Sequence, residues 1–124
     1  MRTWTPDALD VEPSRPRILS SGDAGRAIAI DLPAGEALAD HQVHEQAWVV
    51  VIAGEVELEA DGTTVAGGVG TLAEFAPGER HEVRARTDAR LLLLLTPWPG
   101  DGHPGAMSLD EKSHARDLAR DRAS

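Results

Sequence analysis

Turn-forming clusters recur about every 8–12 residues through the middle of this 124-residue chain, and that cadence is the strongest constraint on its fold. They fall at Asp23–Gly25, Pro33–Gly35, Gly54, Asp61–Gly62, Gly67–Gly70, Pro77–Gly78 and Thr87–Asp88. The segments between them carry strand patterns. Residues 26–32 (RAIAIDL) alternate, with Ile28, Ile30 and Leu32 on one face. In residues 55–60 (EVELEA), Val56 and Leu58 alternate with glutamates that mark a solvent side. In residues 81–86 (HEVRAR), His81, Val83 and Ala85 share one face and Glu82, Arg84 and Arg86 the other. Asp61-Gly62 is a two-residue hairpin signal. The expected fold is an all-β antiparallel sandwich or barrel.

Two stretches, 47–52 (AWVVVI) and 91–95 (LLLLL), are apolar at successive positions and read as strands buried on both faces. A lone chain would expose a patch around Trp48, Val50, Ile52 and alternate leucines, so a homodimer through this outer apolar sheet is expected. Residues 1–17, with three prolines, read as an extended arm or loosely held leader. Residues 18–98 form the barrel. Residues 99–124 are a turn-rich linker and a short C-terminal helix, opened by Ser108 and Glu111 in capping-box spacing.

Composition narrows the chemistry. Twelve basic against 21 acidic side chains leave a net charge of −9, which argues against nucleic acid and against an anionic membrane surface as partners. The arginines at 84, 86 and 90 read as an outer face balancing Glu55, Glu57 and Glu59. The absence of cysteine excludes disulfides, thiolate nucleophiles and Cys-ligated metals, and Lys112 is the only lysine. No stretch approaches 18 apolar residues and the N-terminal residues hold no apolar signal region, so a cytoplasmic location is expected. No nucleophile elbow or phosphate loop is present.

The segments GEALADHQVHEQAWVVVIAGEV and GTLAEFAPGERHEVRA carry a resemblance. Gly35, His41 and Gly54 stand at the spacing of the first motif of the cupin superfamily, small single-domain RmlC-like jelly rolls. Gly70, Gly78 and His81 fit the second. The resemblance spans about residues 26–96 and implies a barrel whose mouth holds the two histidines. In metal-binding cupins, two His and one Glu of the first motif and one His of the second hold the ion. Here Val43 stands at the second His position and Ala47 at the Glu position. The Pro and Asn positions of the second motif hold Ala76 and Ala85.

The resemblance therefore implies a small-molecule-binding cupin with a degenerate metal site, its ligand pocket formed by His41, Val43, Ala47, Val49 and His81. The alternative is a metal-dependent enzyme of dioxygenase or isomerase type. There His41 and His81, with Glu45 or His44, would hold Fe, Mn, Ni or Zn; two ligands alone seldom suffice. Glu45 has the strand parity of His41, whereas His44 needs a bulge to join them. A third reading fills the barrel interior and leaves the outer sheet as the working surface. The sequence fixes neither a cofactor nor catalysis. Trp48 is expected to face outward and Phe75 to lie in the core. Trp98, between two prolines, is expected to cap the mouth, with His103 beyond it. Glu79 and Arg80 are read as a rim pair.

Overall fold

Alternating apolar positions need a second apolar layer to cover them, and the chain supplies it by folding two sheets face to face. The computed structural model describes residues 1–41 and 44–99. A 3₁₀ turn at Pro6–Ala8 precedes nine strands: β1 (Arg17–Gly22), β2 (Gly25–Leu32), β3 (Ala37–His41), β4 (Gln46–Ala53), β5 (Val56–Ala60), β6 (Thr63–Gly67), β7 (Leu72–Phe75), β8 (His81–Ala85) and β9 (Ala89–Thr96). One sheet has the order β1-β2-β9-β4-β7 and the other β3-β8-β5-β6. Every strand pair is antiparallel. No helix among the described residues is long and apolar enough to cross a membrane. The helix expected over 108–124, the linker after Pro99, His103 and Val43 lie outside the described residues.

The turn cadence and alternation predict the all-β antiparallel layers, and the family resemblance implies the jelly-roll arrangement that they adopt. Asp61 and Gly62, with φ of 51° and 75°, make the two-residue hairpin between Ala60 and Thr63. The core holds Ile28, Ile30 and Leu32 of β2, Val49 and Val51 of β4, Val56 and Leu58 of β5, Val83 of β8 and Leu91 of β9. The leucine run is strand β9 and lies between β2 and β4.

Both double-sided apolar strands alternate within the single chain. Ala47, Val49, Val51, Leu91 and Leu95 are buried, while Trp48, Val50, Ile52, Leu92 and Leu94 on the opposite face are half-buried. On that outer face Trp48 pairs with Leu94, and Val50 pairs with both Leu92 and Leu72. Contrary to the sequence reading, Arg90 does not join the face of Arg84 and Arg86. It lies in the other sheet, opposite Asp31. Its Nε and Nη2 donate to the Asp31 carboxylate at 2.6 and 2.9 Å, and its Nη1 donates to the carbonyls of Pro6 and Leu9 at 3.0 and 2.6 Å. The Asp31 hydrogen bond, outweighing burial, holds the Arg90 guanidinium above its ordinary pKa. A raised pKa adds stability that is complete below the unfolded value, so this pair contributes fully throughout the neutral range.

Candidate functional site

The antiparallel order collects particular strand ends. The starts of β2 and β4 and the ends of β7 and β9 lie at one end of the five-stranded sheet. The start of β8 and the ends of β3 and β5 share one end of the other sheet. Phe75 and His81 join these two ends, their rings stacked at 4.1 Å and 9°. This is the mouth of the barrel.

His81 reaches it through the alternation of β8, in which His81, Val83 and Ala85 are buried and Arg84 is exposed. Its side chain is 4 % exposed. The turn before it is closed by Glu79, whose amide donates to the Ala76 carbonyl and whose carboxylate accepts from the Ala76 amide, both at 3.0 Å. Glu79 is thus a turn-forming residue, and its carboxylate is engaged there. Its carbonyl oxygen lies 3.2 Å from His81 Nδ1. A carbonyl only accepts, so in the neutral ring Nδ1 carries the proton and Nε2 is the acceptor or ligating nitrogen. A cleft of about 240 Å³ opens at this rim, lined by Glu59, Ala60, Asp61, Arg80, His81 and Glu82.

The backbone register sets His41 opposite His81. Leu38 pairs with Val83, so three steps along β3 match two along β8. That extra residue is a bulge, and it resets the phase of β3 just before His41. Glu45 lies in the bend before β4 and is 2 % exposed. His44, beside it, is half-buried.

Ala47 and Val49 line the inner face of β4 at 0 % and 1 % exposure. Ala47 pairs with Phe75 on one side and Leu95 on the other, and Leu95 pairs in turn with Arg26. A row therefore crosses the mouth from Arg26 to Phe75 and ends on the His81 ring. Trp98, just past β9, packs against the core cluster, and the Arg26 guanidinium stacks on its indole at 3.9 Å. Arg26 is the mouth residue that the sequence reading overlooked. Its signal was present: it is in phase with Ile28 and Ile30, a charge on the apolar face of an alternating strand.

The fit to a metal can be tested on the donor set. The fourfold family set is interrupted at Ala47, whose methyl offers no donor. Among the described residues no group of three or more His, Asp or Glu is arranged to hold an ion. Ala47, and by sequence Val43, thus stand where the family's set has donors.

Two facing antiparallel sheets with His81 at one mouth define a double-stranded β-helix barrel. Residues 29–97 match the Cupin domain family, and the chain belongs to it. Among solved structures, an RmlC-like cupin protein from Desulfovibrio desulfuricans is similar, with 20% identity, 78% of this chain and 97% of that one covered, and a TM-score of 0.69. An uncharacterized conserved protein with a double-stranded β-helix domain from Klebsiella pneumoniae has 19% identity, 81% and 93% coverage and a TM-score of 0.69. KdgF from Halomonas sp. has 22% identity, 72% and 85% coverage and a TM-score of 0.63. At these identities the likeness is one of fold. No curated protein matches the chain.

Proposed function

We propose that this cupin binds a small molecule at the barrel mouth, beside His81, with the family's metal site reduced. Ala47 carries the reading. Where the family motif has a carboxylate ligand, a methyl group lies on the inner face between Leu95 and Phe75. That substitution removes a metal donor and makes the floor of the mouth apolar. His81, oriented by Phe75 and by the Glu79 carbonyl, supplies a polar contact through Nε2. The ligand expected has an apolar body and a hydroxyl or anionic group.

The second reading, a metal enzyme using His41 and His81 with Glu45 or His44, is favoured by the register of His41 against His81 and by the burial of Glu45. Metal content of protein purified without a histidine tag separates the two. The expected result is a metal content well below one per chain, unchanged in His41→Ala and His81→Ala. Near-stoichiometric metal lost in both variants would establish the metal reading instead.

We further propose a homodimer through the outer face of the five-stranded sheet. Trp48, Val50, Leu92 and Leu94 form its middle, beside the 59 % exposed Leu72. Light scattering at micromolar concentration should give twice the chain mass, and Trp48→Glu should halve it. A monomer mass for the unmodified protein would refute the dimer.

A further inference from the structure

Among the described residues Arg15, Arg84, Arg86 and Arg90 each lie within ion-pair distance of a carboxylate. Arg90 uses Nε, Nη1 and Nη2 all at once. Arg2 and Arg17 each commit a terminal nitrogen, to Ser20 Oγ and to the Asp10 carbonyl. Arg26 commits neither of its terminal nitrogens. Its Nε donates to Ser21 Oγ at 3.1 Å and its face lies on Trp98. Among the described residues its terminal nitrogens make no hydrogen bond or ion pair.

We propose that Arg26 is an anion subsite that receives the carboxylate of a small monocarboxylate ligand. This deepens the proposed function and rests on it, since it names the class of ligand that the mouth takes. Position comes first. Ser21 pairs with Arg26, Arg26 with Leu95, Leu95 with Ala47 and Ala47 with Phe75, so the arginine begins the row that ends at His81. Adjacent strands are about 4.8 Å apart, which puts the Arg26 and Phe75 backbones roughly 14 Å apart. Leu95, Ala47 and Phe75 along that row are buried, so the ligand's body would span from Arg26 toward His81 above the row rather than within it.

Preorganisation comes next. The Trp98 stack fixes the guanidinium plane and removes water from one face, and the Ser21 bond fixes its rotation. The edge bearing Nη1 and Nη2 is left to present two parallel N–H groups. Two carboxylate oxygens match that edge. Charge then selects the class. A single guanidinium balances one negative charge, and the buried Glu45 carboxyl group lies at the same end of the barrel. A planar carboxylate, rather than a tetrahedral dianion, also matches the geometry of that edge.

Benzoate, its neutral isostere benzamide, and inorganic phosphate test the assignment by NMR titration. The signals followed are the Trp98 indole N–H, the Arg26 Nε–H and the His81 ring. Benzoate should shift the Trp98 and Arg26 signals saturably, with benzamide and phosphate at least about tenfold weaker. Arg26→Gln should weaken benzoate by about tenfold or more, the scale of losing hydrogen bonds to a charged group. Arg26→Lys, which keeps the charge and guards against misfolding, should weaken benzoate less than Arg26→Gln does. Benzoate and benzamide binding equally near His81, with Arg26→Gln silent, would overturn the anion subsite and leave the mouth as a pocket. No response of any of the three residues to benzoate or benzamide at millimolar concentration would overturn both.

Discussion

Gly54→Ala is expected to cost about 4 kcal/mol or more or to abolish soluble expression, whereas Gly35→Ala costs about 1–2 kcal/mol. The two glycines open and close the same cupin motif and have similar φ, 86° for Gly35 and 79° for Gly54. Both substitutions therefore carry the left-handed penalty of an L side chain. They differ in what a Cβ meets. At Gly35 there is nothing within 4 Å. At Gly54 the Cβ would lie 2.2 Å from the Asp88 carbonyl oxygen and 2.8 Å from Ala89 Cα. That backbone cannot easily withdraw. Arg86 and Thr87 amides donate to the Glu55 carbonyl at 2.8 and 3.3 Å, the Glu55 amide donates to Thr87 Oγ1 at 3.0 Å, and the Ala34 amide donates to Asp88 Oδ1 at 2.8 Å. Relief by movement would break this knot where both sheets meet. Urea unfolding of both variants checks the contrast, and equal losses would refute it.

The fold was legible where side chains alternate. β2, β4, β5, β8 and β9 follow from their own residues, because each buries one face more than the other, whereas β6 follows from the hairpin turn at Asp61-Gly62. β3 and β7 were quoted within the motifs but carry weak signals of their own. Ala-Leu-Ala-Asp-His has no β-branched residue, and Leu72–Phe75 is four residues long. Such segments become strands because β8 and β4 offer them paired edges, a tertiary effect that propensity does not contain. β1 begins right after the proline-rich arm and ends on polar Ser20, Ser21 and Gly22, so it reads as loop until it pairs with β2.

The site was legible in part for the same reason. The alternation of β8 gave the burial of His81 from sequence alone. The bulge before His41 was not visible, because no glycine or proline between Leu38 and His41 announces it; only the pairing to β8 reveals the extra residue. Arg26 was passed over, because the alternation of its strand was read from Ile28, Ile30 and Leu32 alone. Grouping Arg90 with Arg84 and Arg86 failed for a different reason. Alternation tells which face of a strand a residue occupies, but not which sheet the strand joins.

Arg90→Met is expected to destabilise the protein by about 2–3 kcal/mol and to release the N-terminal arm. The Arg90 and Asp31 side chains are 16 % and 24 % exposed, so the pair is largely but not wholly desolvated, and the full cost of breaking a buried pair is discounted accordingly. Methionine fills most of the arginine stem's volume. It leaves the Asp31 carboxylate without its two donors and the Pro6 and Leu9 carbonyls without theirs. The double variant Arg90→Met/Asp31→Leu separates these contributions. Removing the orphaned carboxylate should restore more than about 1 kcal/mol of global stability, since replacing both partners with apolar groups is far milder than removing one. It cannot restore the bonds to the arm. Limited proteolysis within residues 1–16 should therefore speed up in the single and double variants alike, while urea midpoints recover only in the double. A single variant within about 0.5 kcal/mol of the parent, with the arm cleaved no faster, would show that Arg90 neither balances Asp31 nor holds the arm.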